Sequence, residues 1–238
     1  MPSGSARLDR FISAATGIKR GDVRLLLAQG RVRLDGVLAR DIALPVNQFS
    51  HIELDDKTLQ ARLPRYIMMN KPAGVVSASC DNRHRTVMDL LAGDDTRDLH
   101  LPGRLDFNST GLLLLTNDGA WSRRLSLPEQ KIAKVYRVTL AQPVNENYIR
   151  AFAEGMHFAY EGITTLPAQL RILSSHEAEV TLVEGRYHQV KRMFGRFQNE
   201  VLSLHRIAIG GLALDTALAP GEYRDLTPAE LNAATQIT

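Results

Sequence analysis

Residues 101–119 read L-P-G-R-L-D-F-N-S-T-G-L-L-L-L-T-N-D-G. The apolar stretch 111–116 predicts a strand, and an acid, Asp106, stands just before it. Gly103 and Gly111 permit tight backbone geometry on either side, so Asp106 is expected on a loop whose flanks are anchored by buried structure. Spacing alone does not make it a nucleophile, because a loop Asp before a strand is more often a turn or cap residue. Asn117-Asp118-Gly119 reads as an ordinary turn without chemistry.

Around this segment short strands and helices alternate without a regular repeat. Strands are predicted over 66–70, 75–78, 135–140, 170–172 and 178–183, and helices over 87–92, 121–125, 146–154 and 189–198. A further helix starts at D-L-T-P-A-E-L near the end. The pattern is that of an α+β domain. Upstream, Leu8, Phe11, Ile12 and Ala15 recur at helical spacing, and after Thr16-Gly17 a second helical stretch carries Val23, Leu26 and Leu27. Gln29-Gly30 ends it, and Val32 and Leu34 alternate with Arg31 and Arg33 up to the hairpin dipeptide Asp35-Gly36. A last strand over 50–54 closes this small unit, and the polar stretch 55–64 reads as a linker that permits motion. The division is expected near residue 60, giving units 1–60 and 61–238.

With 238 residues, 44% of them hydrophobic, the chain buries a substantial core. No apolar run approaches the roughly 20 residues that cross a bilayer, and M-P-S-G-S-A-R lacks the apolar core of a signal peptide, so a cytoplasmic protein without a membrane partner is expected. Cys80 is the single cysteine, which excludes an intrachain disulfide, and no H-E-x-x-H or paired-Cys spacing suggests a metal. The net charge of +3 identifies no partner, but its distribution does. Lys19, Arg20, Arg24, Arg31 and Arg33 face only Asp22 over 19–33; Arg186, Lys191, Arg192, Arg196 and Arg206 face Glu184 and Glu200 over 184–206. These two patches are the candidate RNA footprint.

R-L-D-R-F at 7–11 and R-V-R-L-D-G at 31–36, in the order of the first unit, resemble the S4 RNA-binding domain. On that resemblance Lys19, Arg20, Arg24, Arg31 and Arg33 contact phosphates of a structured RNA. Asp9 is expected to be structural, paired with a nearby Arg.

G-R-L-D at 103–106 resembles the signature of pseudouridine synthases of the RsuA branch, and N-K-P-A-G at 70–74, K-V-Y-R-V at 134–138 and E-G-R-Y-H-Q-V-K-R-M-F at 184–194 fit the same family in the same order. The resemblance implies a larger domain built on a mixed, mainly antiparallel sheet. It also implies a catalytic Asp106 that isomerises a uridine of ribosomal RNA without cofactor or metal. Because the reaction is an isomerisation, no redox group or second substrate is required. Lys191 is implied as the cation paired with Asp106, and Tyr136 as the ring that stacks on a flipped uracil. Arg104 is a candidate to contact the RNA backbone or fill a displaced nucleotide's place in the stack, and Arg192 to bind RNA. The family commonly carries an acid two positions after the catalytic Asp, where this chain has Asn108. His188 reads as structural or RNA-contacting, and Asn70-Lys71-Pro72 as a turn with a structural Lys. The ending A-P-G-E-Y-R-D-L-T at 219–227 resembles members acting on small-subunit (16S) ribosomal RNA, or an assembly intermediate of it, with 23S rRNA as the alternative and a monomer as the default. A non-catalytic assembly factor is opposed by the presence of Asp106, a glycosidase by the lack of a paired carboxylate motif. A helix-turn-helix DNA binder leaves the second unit unused.

Overall fold

The computed structural model describes residues 6–91, 93, 95–159 and 161–236. It divides into two compact units, Met1–Pro64 and Arg65–Thr238.

The first unit comprises β1 (Ala6–Arg7), α1 (Leu8–Thr16), α2 (Arg20–Ala28), β2 (Val32–Leu34), β3 (Val37–Leu38), β4 (Pro45–Val46), β5 (Ile52–Leu54) and β6 (Lys57–Gln60). Leu8 and Ile12 of α1 and Val23, Leu26 and Leu27 of α2 pack against Val32, Ile52 and Leu54, the spacing that puts apolar groups on one helix face. Strands β3, β2, β5 and β6 form a sheet in that order, all antiparallel. The stretch expected as a linker therefore begins with an edge strand, because Asp55 and Asp56 take positive φ and turn the chain into a hairpin. Asp9 is buried, and its carboxylate receives Arg7 at 3.1 Å and Arg20 at 3.0 Å.

The second unit contains β7 (Tyr66–Lys71), β8 (Thr110–Thr116), α3 (Gly119–Ser126), β9 (Lys134–Leu140), α4 (Glu146–Glu154), the hairpin β10 (His157–Phe158) and β11 (Ile163–Thr164), β12 (Gln169–Ser174), β13 (Glu177–Leu182), α5 (Gln189–Gly195), β14 (Val201–Ile209), β15 (Leu212–Ala213), β16 (Tyr223–Asp225) and α6 (Pro228–Ala234). Its main sheet runs β12-β13-β9-β14-β8-β7-β16, with β15 paired to β14. Every pairing is antiparallel except that of β14 with β8.

The leucine run of β8 explains the layering. Leu113 and Leu115 join one core with Ile67, Met69, Tyr136, Val138, Phe152 and Phe194. Leu112 and Leu114 join a second core on the opposite face with Met68, Trp121 and Ile209. A strand covered on both sides needs apolar residues at every position rather than at alternate ones. The parallel contact with β14 depends on Gly111, whose φ is +99° and where a Cβ would lie 2.3 Å from the Arg206 carbonyl oxygen. Gly103, expected to serve the same purpose, has open space around it.

Three expectations change. Residues 75–78 form no strand; they make a single bridge, Val76 to Thr86, within an irregular segment. The helix expected over 87–92 is a 3₁₀ turn at Met88–Leu90, with Ala92 outside the described residues. The helix expected over 189–198 ends at Gly195. The nine-residue strand β14 was not anticipated, because its charged and polar residues made it read as surface.

Candidate active site

The loop before β8 is held from beneath by its backbone. Lys71, fully buried at the end of β7, donates from Nζ to the carbonyls of Pro72, Asp106, Phe107 and Ser109 at 2.9, 3.2, 3.2 and 2.9 Å. Gly74 N–H donates to the Phe107 carbonyl at 2.9 Å. The buried Ser77 hydroxyl donates to the Leu105 carbonyl at 2.7 Å and accepts from Leu105 N–H at 3.1 Å. Asp106 is thus fixed at its backbone while its carboxylate stays 30% exposed. Ser77, from the segment expected as a strand, belongs to this clamp, and Lys71 is the structural lysine expected there, at the end of β7.

Two side chains from the α5 region approach the carboxylate. Lys191 Nζ lies 4.0 Å from Asp106 Oδ2, and His188 Nε2 lies 3.5 Å from Oδ1. His188 reaches it because its backbone, at φ 49°, starts α5 from the left-handed region. Sequence reasoning gave His188 no place beside the acid; its position three residues before Lys191, one helical turn away, was the available signal. The Lys191 ammonium supplies the carboxylate with a counter-charge.

Tyr136 is buried on β9 in the same core as Leu105, paired across to Val180 and Arg206. The Arg206 guanidinium carbon lies 6.0 Å from its ring centre. Arg206 is itself buried, donating from Nε to the Leu112 carbonyl at 2.7 Å and from Nη1 to the Arg104 carbonyl at 3.4 Å. It therefore belongs to the floor of the site and not to a surface footprint. The Arg104 side chain is exposed. Arg192 grips Glu161 through both terminal nitrogens, Nη1 at 2.6 Å, and lies 3.8 Å over the Phe158 ring; Arg186 is paired with the buried Glu184 at 2.9 Å. Asn108 is exposed and borders, with Lys191 and Ser203, a cleft of about 550 Å³. Asp118 caps α3, accepting from Ala120 and Trp121 N–H, and also accepts from the Tyr66 hydroxyl.

Residues 65–195 match the RNA pseudouridylate synthase family. The chain belongs to that family. It is similar to the ribosomal small subunit pseudouridine synthase A of Pseudomonas aeruginosa, 51% identical over 226 residues, spanning 94% of this chain and 98% of the relative. The protein of the same name from Escherichia coli K12 is 42% identical over 226 residues, with the same coverage. A crystal structure of a pseudouridylate synthase matches with a TM-score of 0.70 at 40% identity, covering 97% of this chain and all of the other. As a pseudouridine synthase, the chain acts on uridine in RNA.

Two lysines of this synthase lose their protons more readily than an ordinary lysine. Burial pulls Lys71 down to about 8, with the Asp106 charge opposing and the Arg206 charge adding to the shift. Burial, then Arg206, pulls Lys134 down to about 8 as well. Turnover is expected to fall as pH rises through about 8, because a neutral Lys71 has two N–H donors for four carbonyls. Stability should move the other way. Between about 8 and 10.5 the unfolded chain holds protons on these lysines that the folded chain has released, so the unfolding free energy rises with pH. Parallel pH profiles of turnover and of urea unfolding check this; stability falling across that window contradicts it.

Proposed function

We propose that this enzyme converts one uridine of small-subunit (16S) ribosomal RNA to pseudouridine without a cofactor, with Asp106 as the nucleophile. The observation that carries the reading is a single carboxylate held at its backbone by Lys71, Gly74 and Ser77, with Lys191 and His188 at its oxygens. The bond between N1 of uracil and C1′ of ribose breaks, the freed base turns, and C5 joins C1′. The hydrogen on C5 departs and N1 gains one, so the product is an isomer and no oxidant or second substrate enters. The Asp106 carboxylate, as nucleophile, forms a bond to C1′ of the ribose or to C6 of the base, and that bond breaks again as the isomer is completed. Lys191 supplies the carboxylate's counter-charge, Tyr136 offers its face to the uracil, and Arg104 reaches the RNA beside the vacated position. Because C5 loses its hydrogen, RNA labelled with tritium at uridine C5 releases label on turnover. Release from small-subunit and not large-subunit rRNA transcripts supports the assignment; release from the large-subunit transcript alone overturns the substrate.

The first unit serves as an S4-like RNA-binding domain. Support comes from its two helices followed by strands that carry exposed cations. Of the five basic residues singled out, Arg20 is engaged by Asp9, Arg31 by Asp55 at 2.7 Å, and Arg33 by the Gly36 carbonyl at 3.2 Å. Lys19 and Arg24 are exposed and are the stronger candidates for phosphate contact. Replacing either by Ala should weaken RNA binding about equally for all sequences and reduce the slope of log K against log salt by about one. Salt titration of RNA affinity measures that slope, and an unchanged slope removes both residues from the interface.

A further inference from the structure

Among the described residues, the large exposed apolar side chains include two aromatics, Phe107 at 43% and Tyr187 at 73% exposed. Both border Asp106. Phe107 follows it in the chain, and Tyr187 stacks on His188 with ring centres 3.9 Å apart and planes 16° from parallel, while His188 lies 3.5 Å from the Asp106 carboxylate. A ring left in water at such a place loses the burial that ordinarily accounts for an aromatic residue.

Their supports differ from those of a casual surface ring. The Phe107 backbone is pinned, since its carbonyl accepts from both Lys71 Nζ and Gly74 N–H, and its ring rests edge-on against His84 at 5.3 Å. The Tyr187 carbonyl accepts from Arg192 Nη1 at 3.4 Å, and the flat His188 ring backs it. Each is a flat face held in place before any ligand arrives, which reduces the ordering cost of stacking. Bases freed from their own stack find such faces favourable whatever their identity.

We propose that Phe107 and Tyr187 are stacking platforms for the two bases that flank the target uridine, one on each side, holding the RNA strand open while the uridine occupies the site. The inference rests on Asp106 marking the reaction centre. Extruding one nucleotide unstacks its neighbours, and two rings beside the carboxylate replace the contacts those neighbours lose. The rings select unpaired RNA over duplex at the target and leave the choice of sequence to other contacts.

The test uses the full-length Asp106→Asn protein with the small-subunit rRNA fragment that releases tritium. A 5-iodopyrimidine is placed one position before or after the target, and the complex is irradiated. Crosslinks at Phe107 from one position and Tyr187 from the other are expected. Phe107→Leu and Tyr187→Leu should each weaken binding of the fragment by about tenfold, while Tyr187→Phe, which keeps the ring, should bind as the parent does. Crosslinks confined to other residues, or unchanged affinity in both leucine variants, overturn the proposal. Turnover by the Asp106→Asn protein on the same fragment reports separately on the nucleophile, so the two failures are distinguishable.

Discussion

Asp106→Asn should bind ribosomal RNA about as tightly as the parent protein and turn it over on the order of 10⁴-fold more slowly or worse. The substitution removes one negative charge and one nucleophilic oxygen and changes little else. The grip on the loop is made by the carbonyls of residues 105–107 and 109, which an Asn leaves in place. Its amide still fits beside Lys191 and His188, so the fold should be unaffected. RNA affinity rests on cations elsewhere, and losing an anion from the site cannot weaken attraction for phosphate. Binding and single-turnover measurements on the same preparation separate the two effects. Preserved turnover with weakened binding would show that Asp106 positions RNA instead of reacting with it.

Lys71→Met should be the most damaging change in the loop's support. The buried ammonium serves four carbonyls, and a methionine of similar length removes that donor from all of them in a place water does not reach, leaving Ser109 N–H on the Asp106 carbonyl and Gly74 N–H on the Phe107 carbonyl. Relief of the cost of burying a charge offsets part of the loss, so a net destabilisation of about 2–4 kcal/mol is expected. Activity should suffer beyond stability. A carboxylate displaced by about 1 Å from its reacting position loses roughly a hundredfold in rate, so turnover should fall by that much or more at temperatures where the variant is fully folded. Urea unfolding together with tritium release at 25 °C measures both. Parent-like stability and turnover would mean that Gly74 and Ser77 alone hold the loop.

The strand after the loop was legible in the sequence because a run of four leucines leaves few choices, whereas the role of its acid came only from the resemblance carried by G-R-L-D. Such a run is too short for a membrane and too uniform for a surface, so it fits a strand between two cores, with Asp106 just outside. Helices with regular apolar spacing were equally plain: the one expected over 146–154 is α4. The failures share a cause. Ser77 and Arg206 are polar residues whose partners are backbone carbonyls 28 to 102 positions away, and neither local spacing nor charge counting reveals such partners. Arg206 was counted with a surface patch for that reason, and β14 was overlooked along with it. Arg192, expected to bind RNA, also has a partner in Glu161 that its basic neighbourhood concealed. Residues 75–78 had the apolar content of a strand, yet the Ser77 hydroxyl is spent on Leu105 of the Asp106 loop, and the Val76 N–H and carbonyl pair with the Arg85 carbonyl and Val87 N–H in place of a strand partner. The Gly210-Gly211 pair marks a close backbone approach. A Cβ on Gly210 would lie 2.6 Å from the Ala234 carbonyl oxygen at the end of α6.

The central claim is that this protein makes one pseudouridine in small-subunit ribosomal RNA through Asp106. Carbodiimide mapping of pseudouridines in rRNA from cells lacking the gene, complemented with the intact protein or with Asp106→Asn, tests it most directly. One small-subunit position is expected to lose its modification and to regain it only with the intact protein. A small-subunit map that is the same in all three strains, or restored equally by Asp106→Asn, would contradict it.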